Sequence, residues 1–518
     1  MPSNVIVIGA GASGLMAAIS AARAGAEVTV LETQEKAGRK LLVTGNGRCN
    51  LTSTDPALPE QYHGSGARLA RMLTAEKMDV AATLAFFHDL GLLTTEKNGG
   101  IYPYTMQASS VLDVLLAETR RLRVKMKFSQ EITGIRPPHE ENSAESCYQI
   151  VTPAWTYRAD AVILACGSLA SASDKVRAFS GACRPQSGSA KADEACPRRD
   201  KPFAREASSP FGRDIRGASA SERFHSGLQL AQSLGHSIVE PRPALVPLVC
   251  MGDFSERSCA GVRCHAKVTL LHSTSRFWSV CQPRSGSQNA DATCRRAKAR
   301  GRFQTDTTTE VLASETGELQ WTNYGLSGIV IFQLSRFMYS AKAQKEDAKK
   351  ETGYRKLPPQ AQQHPIVNYV VNIDFFPEYE DSELETLLKK RAGELSGEPA
   401  SVLLRGFLNE KLIPLVLRRA GMGHSPAYCS EITDAYLKEL IITVKNYRMP
   451  LDGTKSFDQA QICAGGVNCA EITDQLESRN HRKLYFAGEM LDVDGPCGGY
   501  NLQWAWTSGY LAGKYAAE

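Results

Sequence analysis

The 518-residue sequence holds 14 cysteines but no Cys-x-x-Cys pair, and none of its cysteine–histidine groupings has zinc spacing. This excludes zinc ribbons and fingers, and any two-cysteine redox segment of the usual kind. Scattered thiols suit a reducing compartment, so the expected location is cytoplasmic. Charge of one sign is not in excess. Sixty Lys+Arg against 55 Asp+Glu leave +5, too mild to call for a nucleic-acid partner. The chain also lacks an unbroken apolar run. Val5 to Ala22 comes closest, but it has no cationic start and is interrupted by Gly9, Gly11 and Gly14, so no membrane span is expected. Internal repeats and heptads are absent, and no metal site is expected.

What is present begins with "NVIVIGAGASGLMAAISAARAGAEVTVLE", which reads as one βαβ unit. Val5 to Ile8 is continuously apolar, as a strand covered on both faces requires. Gly9, Gly11 and Gly14 follow. The first permits a tight turn, the second lets backbone N–H groups approach a pyrophosphate, and the third lets helix and strand pack closely. Ala12 and Ser13 lie within this turn. Ala17 to Ala24 is rich in helix formers and Gly25 ends the run. Val28 to Leu31 is the second strand. Glu32 follows it, where a carboxylate accepts from ribose hydroxyls and repels a 2′-phosphate. The ligand this predicts is FAD or NAD rather than NADP.

"GRKLLVTGNGRCNLT" favours FAD. Gly38-Arg39-Lys40 places two cations after the acid, and Thr44-Gly45-Asn46-Gly47 is a loop suited to a flat ring or ribityl chain. Two more strands, Ala161 to Ala165 and Leu484 to Ala487, end in Cys166-Gly167-Ser168 and Gly488-Glu489. Glu489 could accept from ribityl hydroxyls. A parallel sheet brings such ends to one edge. In "DVDGPCGGYNLQWAWTSG", a glycine turn opens a helix at Tyr500, Asn501 and Leu502. Its first N–H groups suit the pyrimidine end of a flavin, and Trp504 and Trp506 anchor it. Gly421-Met422-Gly423 has no flanking strand and helix, so a separate nicotinamide domain is not expected.

The chain resembles the BaiN-type family of FAD-dependent oxidoreductases, some of whose members are called aminoacetone oxidases. The resemblance rests on "GAGASGLMAA", "GRKLLVTGNGRCN", "GLQLAQSLGHSIVEPRPALVPL", "GELQWTNYGLSGIVIFQLSR", "AQICAGGVNCAEI" and "LYFAGEMLDVDGPCGGYNLQWAWTSGYLAG". It implies an α/β fold: a two-part Rossmann-like FAD domain (1–183 and 451–518) interrupted by a β-rich domain (225–380) and a small helical domain (381–450). A loose basic insert is expected at 184–224. It also implies FAD contacts at Gly9 to Gly14, Glu32, Gly38 to Lys40, Thr44 to Asn50 (Cys49 among them), Gly167, Gly488, Glu489 and Tyr500 to Leu502, with the backbone at Ile132 against adenine.

The activity it implies is reduction of C=C bonds conjugated to a 3-oxo group in bile-acid intermediates, with NADH or NADPH as transient donor and a small apolar carbonyl compound as substrate. Two other readings stand beside it. One is an amine oxidase. The other is a flavoprotein acting on tRNA, which only the arginines of the insert support. Two departures from the family touch the substrate region: "CGSLASASDKV" replaces a glycine-rich turn, and Asn323 stands where the family has histidine. Candidate proton donors are Tyr324, Tyr102, Tyr104 and Arg48, none of them fixed by the sequence. Cys49 and Cys497 read as packing thiols rather than a redox pair.

Elsewhere, Gly227 to Gly235 reads as a short helix. Leu245 to Cys250, Ala266 to His272, Glu310 to Ala313, Leu319 to Trp321 and Ile366 to Phe376 read as strands. Cys294 to Phe303 reads as a solvated basic loop. Ser382 with Glu385 reads as a capping box. Val402–Leu408, Leu412–Leu417 and Tyr436–Val444 read as amphipathic helical segments.

Overall fold

A computed structural model of the chain describes residues 2–55, 57–138, 147–168, 220–251, 258–273, 309–339, 369–422 and 426–518. Most of the expected insert, the basic run 294–303 and the start of the strand expected at 366 lie outside the described residues. The chain forms two compact units, Met1–Pro241 with Gly465–Glu518, and Arg242–Ala464. The divisions fall after 241 and 464, against expected divisions after 224 and 450.

The first unit is Rossmann-like. Five parallel strands run in the spatial order Leu484–Phe486, Ala161–Leu164, Asn4–Ile8, Glu27–Leu31 and Lys125–Lys127. Val5, Val7 and Ala161 to Leu164 are fully buried, which explains their continuous apolar runs. The first helix, Ala12–Arg23, lies against the C-terminal helix, Tyr500–Ala517, with almost no side chain between them. A Cβ at Gly509 would sit 2.4 Å from the Ser13 carbonyl oxygen, and one at Gly513 2.2 Å from that of Ala17. Ser20 Oγ also donates to the Tyr510 carbonyl at 2.7 Å.

The second unit is a closed six-stranded barrel. Its order is Leu248–Cys250, Gly325–Ser327, Thr309–Trp321, Arg263–Ser273, Tyr369–Asp374 and Tyr447–Thr454, and neighbouring strands are antiparallel. Trp321, Val268, Leu270, Val371, Ile373 and Leu451 fill it. Helices Asp381–Glu394, Ile413–Arg419 and Asp434–Lys445 bury Leu384, Leu388, Val416, Leu440 and Val444 in the same hydrophobic cluster as the barrel. Lys445 Nζ ties helix to barrel, meeting Asp374 Oδ2 and the carbonyls of Phe376 and Tyr379, each at 2.8 Å.

Four local expectations are corrected. The helix expected from Gly227 begins at Ala220, inside the segment read as loose, because Ala-Ser-Glu-Arg extends it. The strands expected at 310–313 and 319–321 are one strand, Thr309–Trp321, whose polar middle pairs with Arg263–Ser273. The capping box is Glu380 with Glu383, two residues earlier than Ser382 with Glu385, and the Glu380 N–H donates to Glu383 Oε2 at 3.0 Å. Val402 to Leu408 forms turns rather than a helix, with Gly406 left-handed at φ +84°. Among the described residues, no helix is long and apolar enough to cross a membrane.

The chain leaves the first unit along Ile238–Ala244 and returns along Ile462–Val467, two strands that pair with each other. A polar cluster around the buried His236 lies beside them in the first unit. His236 Nδ1 lies 3.1 Å from Glu471 Oε2, and His236 Nε2 lies 2.9 Å from Ser478 Oγ. Ser478 Oγ already accepts the N–H groups of Asn480 and His481, each at 3.0 Å. Both its lone pairs are therefore used, so it donates to His236 Nε2, and the imidazole must be neutral with its proton on Nδ1. Burial holds the His236 pKa below its usual value, against the opposing pull of Glu471. Burial works to raise the Glu471 carboxyl, but the Ser237 donors and His236 outweigh it, and the net shift is downward.

Two outcomes follow from this packing. Gly513→Ala should destabilise the first unit by about 1–3 kcal/mol, the usual scale of overpacking; an unchanged urea midpoint would contradict the backbone-to-backbone contact. The unfolded chain takes up a proton at His236 near pH ~6.5, while the folded chain resists it. Stability should therefore fall as pH drops from 7 towards 5, and His236→Asn should flatten that slope in thermal melts.

Candidate cofactor site

The site is built where the parallel strands end. Gly9 has φ +109° and donates its N–H to the Leu31 carbonyl at 2.8 Å. A Cβ at Gly9 would sit 2.4 Å from the Ala165 oxygen, and one at Gly14 1.9 Å from the Gly9 oxygen. A Cβ at Gly11 would meet nothing within 4 Å. The protein's own packing thus demands two of the three glycines, and the third keeps a backbone face open. Ala12 starts the first helix, which has no side-chain cap and no acid in its first turn, so its positive end is uncompensated. Ser13 is buried in that turn.

Glu32 Oε2 accepts the Ala10 N–H at 2.7 Å and Oε1 accepts that of Gln34 at 2.8 Å. These bonds fix the carboxylate beside the glycine turn and leave further lone pairs. Gly38, left-handed at φ +69°, donates to the Ala10 carbonyl at 2.9 Å. Arg39 bonds to Gln34, and Lys40 forms an ion pair with Glu489 from the far end of the chain. Gly488, next to Glu489, rests on the first helix: a Cβ there would be 2.4 Å from Ser13 Oγ. Ile132 is buried in the loop after Lys125–Lys127, where the Gln130 N–H donates to the Glu32 carbonyl at 2.9 Å. Gly167, at φ +75°, follows the strand Ala161–Leu164.

The loop Thr44–Gly47 is a left-handed turn. Gly45 and Asn46 both have φ +56°, and so does Cys49 beyond it. For asparagine and cysteine that conformation is strained, which is tolerated at sites where the backbone must be presented. The Cys49 N–H donates to the Thr44 carbonyl at 3.0 Å. Asn50 Oδ1 and Thr52 Oγ1 are buried with no hydrogen-bond partner among the described residues. Burial pushes the Cys49 thiol up to about 12, so it is no thiolate near neutral pH, and Cys497 is half-buried; neither is in a disulfide among the described residues.

The glycine turn of 495–499 is clamped from within. Asn501 Oδ1 accepts the Gly495 N–H at 2.8 Å, and Asn501 Nδ2 donates to the carbonyls of Gly495 (2.8 Å) and Pro496 (3.2 Å). The Asn501 side chain thus serves the turn, which leaves its backbone for the role expected of the helix start. Tyr500 donates from its hydroxyl to Asp55 Oδ2 at 2.8 Å, and Leu502 is half-buried. Trp504 Nε1 donates to the Gly488 carbonyl at 3.2 Å and Trp506 Nε1 to that of Leu51 at 3.0 Å. Each indole therefore grips the backbone of a different motif, one beside Glu489 and the other beside Asn50.

Of the candidate proton donors, Tyr102 is half-buried on the strand beside Gly45, Arg48 is exposed on the left-handed loop, and Tyr104 is 69% exposed. Tyr324 belongs to the second unit, where Lys455 Nζ lies 3.9 Å above its ring and burial raises its pKa. Sequence reasoning missed Asp492, a buried acid that accepts the N–H groups of Ser65 (2.7 Å) and Gly465 (3.1 Å). It also missed Ser508, whose Oγ accepts the Gly488 N–H at 2.9 Å. A buried acid inside a glycine-rich run was the available signal for the first.

These features fit a flavin dinucleotide: an uncapped helix start with an open glycine face, a fixed acid after the second strand, and orphaned polar atoms beside a left-handed loop. Comparison with known proteins agrees with that fit. The family described as HI0933-like protein Rossmann domain matches residues 3–176 and 219–515. The 3-dehydro-bile acid delta(4,6)-reductase of Clostridium scindens is 35% identical over 100% of this chain and 99% of its own. Ribosomal RNA dihydrouridine synthases of Haemophilus influenzae and Escherichia coli are 24% and 22% identical, over 98% and 99% of this chain and 97% of each of theirs. Among solved structures, the 3-ketosteroid-delta4-(5alpha)-dehydrogenase of Rhodococcus jostii RHA1 is a loose likeness, with TM-score 0.42 and 15% identity over 100% of this chain and 97% of that one.

The difference between Gly11 and its neighbours gives a direct test. Gly11→Val should fold normally, since its φ of −81° and open surroundings accept a side chain. It should weaken cofactor binding by roughly a hundredfold or more, about 3 kcal/mol. Retained flavin in the purified variant would place the diphosphate elsewhere.

Proposed function

The chain belongs to the HI0933-like Rossmann family, and on that footing we propose that it is an FAD-dependent reductase of a C=C bond conjugated to a carbonyl. The substrate class is a bile-acid or steroid-like 3-oxo compound, and the electron donor is NADH or NADPH. The observation that carries this reading is the 35% identity to a delta(4,6)-reductase over essentially the whole of both chains. The names of the other two relatives support the same chemistry. A 3-oxo-4,6-diene and the uracil ring of uridine share one feature: the double bond to be saturated is conjugated to a carbonyl.

FAD supplies the hydride when bound. The chain's residues then divide the remaining work. The first turn of the helix at Ala12 and the open face of Gly11 receive the diphosphate. Glu32 orients the ribose, and Glu489 accepts from the ribityl chain. The N–H groups of Tyr500, Asn501 and Leu502 sit at an uncapped helix start whose partial positive charge suits the pyrimidine end when reduction makes it anionic. Conjugate reduction further needs a donor to the substrate oxygen, where charge develops, and a proton for carbon. Tyr102 and Arg48, both in the first unit, are groups available there for those tasks.

A second reading is favoured by the two dihydrouridine synthases: reduction of a pyrimidine in RNA. It ranks second because those identities are lower. One anaerobic experiment separates the readings. Enzyme pre-reduced with NADH or NADPH is mixed with a 3-oxo-4,6-diene bile acid, with ribosomal RNA, or with neither before air is admitted. Rapid flavin reoxidation by the diene, at least about a hundredfold faster than by RNA, is the expected result. Reoxidation by RNA alone would establish the second reading. Reoxidation by neither, with peroxide formed from aminoacetone in air, would establish an amine oxidase.

A further inference from the structure

Lys40 and Glu489 stand 449 positions apart yet form an ion pair. Lys40 is 34% exposed at its side chain and Glu489 19%, so the pair lies partly out of water, where a charge-assisted bond is strong. Its position is defined on both sides. Lys40 begins two residues after Gly38, which is bonded to Ala10 in the glycine turn. Glu489 follows Gly488, which rests on Ser13 in the first turn of the first helix. The ion pair therefore joins a segment bonded to the glycine turn at Ala10 to a segment packed on the first turn of the helix at Ser13.

A diphosphate at this helix end would bring two negative charges beside both groups. Lys40 attracts it. Glu489 repels it, and competes with it for Lys40. Only a ligand that gives Glu489 hydroxyl donors in exchange offsets that penalty. We infer that Lys40 and Glu489 together act as a specificity filter: Lys40 draws any diphosphate to the helix, and Glu489 discriminates against those that carry no polyhydroxyl chain. This rests on the proposed FAD site and adds to it a rule for which dinucleotides are retained.

The filter predicts changes of opposite sign. Full-length protein stripped of cofactor is titrated calorimetrically with ADP, a diphosphate without a ribityl chain, and with FAD. Glu489→Gln should bind ADP roughly 3- to 10-fold more tightly, yet bind FAD roughly tenfold more weakly. Lys40→Met should weaken both ligands roughly tenfold or more, and Lys40→Arg should restore most of the loss of ADP binding. A purely structural ion pair would make Glu489→Gln weaken both ligands, which would overturn the inference, as would a Lys40→Met variant that binds ADP like the wild type. Thermal melts of each variant distinguish lost folding from lost selectivity. Failure of the wild-type protein to bind FAD would defeat the proposed function itself, independently of how ADP responds.

Discussion

The last helix of the chain must lie backbone-to-backbone against the first. The carbonyls of Ser13 and Ala17 occupy the space where side chains at Gly509 and Gly513 would stand. Contact this close leaves little freedom to slide or rotate. The first helix is itself fixed against the sheet by Gly9 and Gly14, so the C-terminal helix inherits its position from the glycine turn. Its indoles then fix two further pieces, Trp504 the backbone at Gly488 and Trp506 the backbone at Leu51. Four motifs, two near each end of the chain, are thus positioned through one contact. The bulky residues and the tight turn of the C-terminal stretch are adjacent for this reason: the bulk holds still the helix that the turn aims.

That arrangement has to survive a long interruption between Pro241 and Gly465. The cost of closing a long loop grows only slowly with its length, by about 0.6 kcal/mol per doubling. The second unit reduces it further by closing its own barrel around its own core and leaving and returning on paired strands. Within the first unit, His236, Glu471 and Ser478 tie the segment before the exit strand to the segment after the return strand. A neutral imidazole saturated at both nitrogens is a rigid spacer. It also makes this tie the acid-sensitive part of the unit.

The sequence was most legible where sterics alone decide. The glycine fingerprint, the continuous apolar strands and the acid after the second strand lie where expected: packing at Gly9 and Gly14 leaves no room for a side chain, and a strand covered on both faces excludes polar ones. The barrel was only partly legible. Polar residues in the middle of Thr309–Trp321 broke the alternation, since on a barrel's outer face a strand continues through polar residues at no cost. The capping box was displaced because several acids and a serine compete at that helix start, and Glu380 with Glu383 prevailed. Asn501 was read through its backbone N–H, and the hold of its side chain on the turn was not legible, because nothing local shows which carbonyls an amide will reach. The pairing of Lys40 with Glu489 was not legible at all. Each residue was a sound candidate alone, but nothing local in either segment names the other.

The same division bears on substrate choice. Relatives named for a bile acid and for ribosomal RNA share with this chain matches that run nearly end to end. On the proposed reading, the residues that hold the cofactor serve either substrate alike, and discrimination rests on other residues. A large polyanion would be drawn by a strong basic field, whereas the whole chain carries only +5. A flat, apolar 3-oxo compound needs instead a desolvated surface and one neutral donor at its oxygen. In the second unit, Tyr324 is a neutral phenol whose pKa burial raises further, and Lys455 Nζ lies 3.9 Å above its ring.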